Sequence, residues 1–333
     1  MSTFPVAITG LGSYLPEQVV TNEDFAKRLD TSDEWIRTRT GIRERHYAAP
    51  HQATSDLATE AGRAALNDAG LTADDVDVII VATTTPDHPV PATAPIVAAR
   101  LGRTCTAFDL NAACSGFVYG LQVGSGMAAG GSTVLLIGAE TLTRYVDPDD
   151  RSIAVLFGDG AGAVVLQRDA AASIGPFDLS SDGSELEILW MRAGGSREPF
   201  DPIAHAEASS RMSMRGGDVY RHAVTRMTSS SQIVLEAAGI TIDDIDLMVG
   251  HQANLRILEA VGQRLGVPEH RCHVTVDRHG NTSAASIPLA LDDARQQGLL
   301  DPGARLLLTA FGGGLTWGSC VLTWSGTVGG GQT

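Results

Sequence analysis

Three side chains and one glycine run in this sequence have types and settings that suit covalent chemistry. Cys114 follows a short apolar run, Thr106 to Leu110, and precedes a Gly/Ala-rich segment with helical spacing (Phe117, Leu121, Gly124, Met127). Its thiol therefore falls where a strand gives way to a helix. Unpaired N–H groups and the positive end of the helix dipole favour a thiolate there, lowering the pKa from about 8.5. The small neighbours Ala112, Ala113, Ser115 and Gly116 leave room for a substrate at the sulfur. A lone cysteine is otherwise a small buried hydrophobe, so its context decides between the two readings.

That context is supplied by His251, Asn281 and the glycines after Phe311. His251 ends a buried strand and is followed by Gln252, Asn254 and Arg256 at the start of the next helix. Asn281 sits at a second strand-to-helix junction, in Asp277-Arg278-His279-Gly280-Asn281-Thr282-Ser283. Taken singly, such a histidine serves in a core and such an asparagine caps a helix. Gly312-Gly313-Gly314 offers backbone N–H groups that can approach a substrate oxygen, one way to build an oxyanion hole. Further upstream, Trp35 lies among Arg37, Arg39, Arg43 and Arg45. Tryptophan and arginine together stack on a base and hold phosphate, or the pair is a buried indole beside solvated charges. Phe157-Gly158-Asp159-Gly160-Ala161-Gly162-Ala163 has the look of a phosphate loop but runs into a strand, so a dinucleotide reading lacks its required helix.

The elements that position these residues come as an internal repeat. Residues 65–80 read closely on 235–248, with Ala69-Gly70 answering to Ala238-Gly239 about half the chain apart. Each copy is a helix ending at glycine, an acidic turn and a buried strand, followed by a helical segment ending in Leu-Gly (Leu101-Gly102, Leu265-Gly266). Beyond them, Cys114 and Asn281 occupy equivalent strand-to-helix junctions. Strands alternating with helices give right-handed crossovers, and the chain is expected to be α/β, with two mixed, mostly parallel sheets in a layered α-β-α-β-α arrangement and the site at the seam. The expected division is an N-terminal half over 1–170, an insertion covering the pocket over 171–217, a C-terminal half over 218–326 and a flexible tail at 327–333. Residues 84–95 hold four prolines and read as an exposed loop that lines the pocket or meets a second subunit.

Composition sets the bounds. The 333 residues, 43% hydrophobic, bury a large core. A formal charge of −15 argues against nucleic acid and requires any acidic partner to dock on a locally basic patch. Four cysteines without framework spacing argue for a reducing, cytoplasmic setting and against disulfides or a metal site. No signal peptide and no membrane span are read.

With Cys114, His251 and Asn281 in that order, the chain resembles the β-ketoacyl-acyl carrier protein synthase III family of the thiolase-like superfamily. The likeness runs from Gly10 to about Trp324. It is carried by Thr31-Ser32-Asp33-Glu34-Trp35, Ala112-Ala113-Cys114, the 157–163 run, His251-Gln252-Ala253-Asn254, the 280–286 run and Phe311-Gly312-Gly313-Gly314. The resemblance implies a thiolase-like fold and a catalytic set of Cys114, His251 and Asn281. Cys114 takes an acyl group from acyl-CoA. His251 and Asn281 then stabilise the enolate formed as malonyl-carrier protein loses CO₂, and backbone N–H groups of Cys114 and Gly312 form the oxyanion hole. It further implies CoA contacts at Trp35, Arg39, Arg151 and Asn254, and an acyl pocket lined by Phe157 and Phe311. Val90 would wall that pocket from a partner subunit, with carrier-protein docking at Gln252 and Arg256. A homodimer with no cofactor is implied. Val90 stands where relatives carry Phe, and Gly217 and Tyr220 where they often have Asn and Phe, which leaves the preferred starter open and points to chains longer than acetyl. A same-fold acyltransferase or a priming ketosynthase of a polyketide pathway shares these features; a papain-like hydrolase lacks its Cys surround, and a non-catalytic homologue would not need all three residues.

Overall fold

Each half of the chain builds a sheet from apolar strands and stops its helices at glycine. The computed structural model describes residues 1–201 and 211–326; the tail expected at 327–333, and 202–210 of the expected insertion, lie outside the described residues. In chain order the first half holds β1 (Val6–Tyr14), β2 (Gln18–Thr21), α1 (Asn22–Ala26), α2 (Asp33–Thr40), β3 (Glu44–Tyr47), α3 (Thr54–Asp68) and β4 (Val78–Ala82). It continues with α4 (Thr93–Leu101), β5 (Thr106–Leu110), α5 (Gly116–Ala129), β6 (Val134–Glu140), α6 (Arg151–Ala154) and β7 (Gly160–Arg168). The second half holds β8 (Ser173–Ser181), β9 (Leu189–Met191), β10 (Met212–Met214), α7 (Gly216–Ala238), β11 (Leu247–Gly250) and α8 (Leu255–Leu265). After these come α9 (Val276–His279), α10 (Ser286–Gln296), β12 (Arg305–Gly312) and β13 (Thr316–Thr323).

The strand order is β1-β7-β6-β4-β5 in one sheet and β8-β13-β12-β11 in the other. Pairing is parallel through β6-β4-β5 and β12-β11 and antiparallel elsewhere, so both sheets are mixed. Helices α3 and α4 cover one sheet, α7 and α8 the other, and α5 with α10 lie between them. This is the five-layer duplicated α/β arrangement expected. The repeat persists into its caps. Gly70 and Gly239 share a φ of +67°, and Thr72 and Thr241 each donate their backbone N–H to an aspartate three residues on (2.8 and 2.9 Å).

The expected insertion needs correction. Ser173–Ser181 occupies in the second sheet the place that β1 holds in the first, pairing with β13 as β1 pairs with β7. Gly175-Pro176 and a register shift opposite Cys320 and Leu322 obscure its alternation in the sequence. Among the described residues of 171–217, those that face the pocket lie from Leu189 onward. Among the described residues no helix is long and apolar enough to cross a membrane.

The middle layer allows very close approach. A methyl group on Gly138 of β6 would lie 2.3 Å from the Ala284 carbonyl oxygen, whereas one on Gly183 would meet nothing. Gly138→Ala is therefore expected to destabilise by about 1–3 kcal/mol through overpacking, and Gly183→Ala by less than about 0.5 kcal/mol. Urea unfolding of the two variants checks this; equal midpoints would contradict the seam as described.

Candidate active site

Two strained turns at the seam set the site. Among the described residues, Ala113 (φ +48°) and Ser283 (φ +49°) are the non-glycine residues with positive φ. Each opens a single 3₁₀ turn that feeds a central helix, Ala113–Ser115 into α5 and Ser283–Ala285 into α10. Each is held by the asparagine two residues before it: Ala113 N–H donates to Asn111 Oδ1 at 3.1 Å, and Ser283 N–H to Asn281 Oδ1 at 2.9 Å. The two turns correspond, with a register that pairs Asn281 with Asn111 and Cys114 with Ala284, but the strand expected before Asn281 is instead the short helix α9.

Cys114, His251 and Asn281, from three separate loops, line one chamber of about 570 Å³. Asn281 is anchored by its backbone, donating to Leu156 O (2.8 Å) and accepting from Gly158 N–H (3.1 Å). With Oδ1 taken by Ser283, the amide N–H₂ is the part left to the chamber. His251 Nδ1 lies 2.7 Å from the Ser286 hydroxyl, which also accepts the Gln252 N–H at 3.3 Å. With the serine proton directed at Nδ1, we assign the ring proton to Nε2. Burial pulls His251 down to about 3, so the imidazole is neutral and a donor. Gly312 lies so close to Cys114 that a methyl there would come within 2.7 Å of the Cys114 nitrogen. Cys114, His251 and Asn281 thus share one chamber, and the backbone of Gly312 lies against that of Cys114.

The thiol differs from the sequence expectation. Burial pushes Cys114 up to about 11; the Glu140 carboxylate adds to this, while the Ser283 hydroxyl and the Cys114 N–H oppose it. The helix N-terminus does not outweigh desolvation, and the resting group is a thiol.

Other candidates divide. Phe157 and Phe311 are buried and line the chamber, as do Trp35, Arg39, Asn254 and Arg256. The guanidinium groups of Arg39 and Arg151 lie 4.5 and 5.2 Å from the Trp35 ring centre, and Arg151 also pairs with Asp30 at 3.0 Å. Asn254 caps α8 by accepting the Arg256 N–H (2.9 Å) and donates to Arg39 O (3.1 Å). Gln252 is unsuited to docking: it is 1% exposed, donating to Gly250 O and His273 O and accepting from Thr275 and Val276 N–H. Val90 is 85% exposed and does not line this chain's chamber. Asp159 accepts from Ala48 N–H, Thr143 N–H and the Thr143 hydroxyl, so the 157–163 run is a structural entry into strand β7 and not a phosphate loop.

The sequence reading missed Glu140, Ser283 and Ser286, and the Met191, Met212 and Met214 wall. Glu140 carried a signal: it is the single charge ending the otherwise apolar strand β6. The methionines carried none, because β9 and β10 are three residues each and pair across a long connection.

Alkylation of Cys114 by iodoacetamide is expected to rise close to tenfold per pH unit from pH 7 to 10, because thiolate accumulates only toward about 11. It should vanish in Cys114→Ser. A plateau by pH 8 would instead indicate the activated thiolate.

Family models described as 3-oxoacyl-[acyl-carrier-protein (ACP)] synthase III and its C-terminal region match residues 108–183 and 235–324. A β-ketoacyl-[acyl-carrier-protein] synthase III of Xanthomonas campestris pv. campestris is 53% identical over 95% of this chain and 97% of its own. The crystal structure of 3-oxoacyl-(acyl carrier protein) synthase III from Pseudomonas aeruginosa superposes with a TM-score of 0.90 at 45% identity, covering 97% of this chain and 99% of that one. A priming β-ketosynthase of a polyketide biosynthetic pathway gives 0.90 at 36% identity, with 96% of each chain covered. The chain belongs to the β-ketoacyl-[acyl-carrier-protein] synthase III family and is an acyl-transferring condensing enzyme with the thiolase-like fold.

Proposed function

We propose that this chain joins an acyl group from acyl-CoA to malonyl-acyl carrier protein, giving a 3-oxoacyl-acyl carrier protein at the start of fatty acid synthesis. The observation that carries this reading is the convergence of Cys114, His251 and Asn281 on one chamber, with Nε2–H and the amide N–H₂ left to face it.

In the first stage the Cys114 sulfur attacks the thioester carbonyl. The C–S bond to CoA breaks, and the thiol proton leaves on the CoA sulfur, so the exchange balances without a cofactor. The oxyanion meets the N–H groups of Cys114 and Gly312. In the second stage malonyl-carrier protein loses CO₂, and the electron pair moves onto its thioester oxygen, where His251 and Asn281 donate. The resulting carbanion attacks the acyl-Cys114 carbonyl, and Cys114 leaves and regains a proton. Trp35, Arg39 and Arg151 are the groups for the adenine and phosphates of CoA, Asn254 for its pantetheine arm and Arg256 for the carrier protein.

The half-exposed edge strand β5 supports a homodimer, which would cover it and carry Val90 toward the neighbouring pocket. Four free cysteines support a reducing, cytoplasmic setting. The likeness to a priming β-ketosynthase favours a second reading, in which the same condensation primes a polyketide carrier; the carrier protein that turns over distinguishes them.

Intact-mass measurement after incubation with a panel of acyl-CoAs should show one acyl group added, and none on Cys114→Ser. Asn281→Ala and His251→Ala should still load but lose condensation by about 100-fold or more each, as expected for removed oxyanion donors. Absence of any adduct on the native chain would overturn the reading. C4–C8 starters are expected to exceed acetyl; faster turnover of acetyl-CoA would refute that preference alone.

A further inference from the structure

Glu140 ends β6 as a fully buried carboxylate beside the site, yet no cation is paired with it among the described residues. Five donors from three threonines and a serine surround it instead. The Thr85 hydroxyl lies at 2.7 Å, the Ser283 hydroxyl at 3.0 Å, the Thr84 hydroxyl and N–H at 3.1 and 3.2 Å, and the Thr83 hydroxyl at 3.3 Å. The hydroxyls are oriented from behind. Thr141 N–H donates to Thr85 Oγ1 (2.9 Å) and Thr85 N–H to Thr83 Oγ1 (3.0 Å), which leaves both hydroxyl protons for the carboxylate. A group facing donors alone suits an ionised carboxylate, although burial raises its pKa.

Ser283 joins this cluster to the chemistry. Its hydroxyl serves Glu140, its N–H fixes the Asn281 amide at 2.9 Å, and the same hydroxyl favours ionisation of Cys114. Glu140 comes from the first half and Ser283 from the second, so this contact spans the seam. The other titratable groups beside the cluster are Cys114, on which Glu140 acts, and Tyr145, whose phenol feels Arg144 and Asp87 together with Glu140. Arg39 and Arg256 line the chamber.

We propose that Glu140 is a positioning residue of the condensation step: it fixes Ser283, and Ser283 in turn orients the Asn281 amide and sets the surroundings of the Cys114 sulfur. The proposal rests on the catalytic reading above. It assigns Glu140 no contact with substrate.

Glu140→Gln replaces an acceptor-only group with one that brings two N–H donors against five others. Condensation with malonyl-carrier protein is expected to fall about tenfold or more beyond any fall in acyl loading, the effect of leaving buried groups unpaired. The pH profile of Cys114 alkylation should shift to lower pH, since a like charge has gone. Glu140→Asp keeps the charge and should recover part of the condensation rate and most of the profile, a rescue that simple destabilisation would not give. If Glu140→Gln does not yield folded protein, Ser283→Ala tests the same link. There condensation should again fall more than loading, and the alkylation profile should move to higher pH. Unchanged profiles and an unchanged ratio of condensation to loading, in folded Glu140→Gln or in Ser283→Ala, would overturn the proposal. Failure of the native chain to take up an acyl group would instead overturn the catalytic reading, and alkylation reports on Cys114 independently of it.

Discussion

The close backbone contact between the two halves governs the rest of this structure. Gly138 meets the Ala284 carbonyl and Gly312 meets the Cys114 nitrogen at distances that leave no space for a side-chain carbon. The turns that enter the central helices are forced tight, and Ala113 and Ser283 take up left-handed conformations that cost about 1–3 kcal/mol each. Asn111 and Asn281 hold them through the same side-chain turn. The duplicated device has diverged where it matters: the residue after the strained position is Cys114 in one half and Ala284 in the other. One copy presents a sulfur, and its counterpart packs against Gly138.

Charge is arranged against the grain of the whole chain. The overall excess is acidic, with 39 Asp and Glu against 24 Lys and Arg, so a polyanionic substrate or an acidic carrier meets long-range repulsion. The chamber wall answers locally with Arg39 and Arg256, and Arg151 stands beside Trp35. Arginine suits such a place because its planar guanidinium both stacks on an indole and forks to phosphate. The Arg151–Asp30 pair at 3.0 Å is exposed and contributes little to stability, so a phosphate can compete for the guanidinium.

The sequence disclosed the fold where its pattern was local and repeated. The acidic turn between helix and strand, duplicated at residues 72–75 and 241–244, sets two copies of one unit, and the Leu-Gly ends of α4 and α8 fall where left-handed glycines stop both helices. Cys114 and His251 were legible because each follows an apolar strand, and Asn281 because it answers to the Cys114 junction in the repeat, although the short helix α9 and not a strand precedes it. The strand β8 was not, since glycine, proline and a register shift interrupt its alternation. Gln252 was misread because its neighbours Asn254 and Arg256 face the chamber while the strand end turns Gln252 inward, a distinction that needs the backbone direction. Glu140 and Ser283 were missed because their meaning depends on a contact across 143 residues.

The most instructive departure is the thiol. A helix N-terminus lowers a cysteine pKa where solvent reaches it, yet at this buried sulfur desolvation dominates and the resting group is protonated. The same burial keeps His251 neutral, with its proton on the nitrogen facing the chamber. Cysteine and histidine are therefore an uncharged pair at rest and not a thiolate–imidazolium pair. That suits a reaction in two stages. The thiolate fraction lost by a raised pKa is partly recovered in nucleophilicity, which rises with basicity, and in the proposed mechanism the backbone N–H groups of Cys114 and Gly312 act on the transition state, not the resting thiol. The proposed condensation stage requires donors at an enolate oxygen, a role that a neutral imidazole N–H and an amide N–H₂ both suit. The burial that raises the thiol pKa is thus the same burial that keeps His251 an uncharged donor, and the hydrogen bonds converging on Ser283 tie the two halves of the chain together beside them.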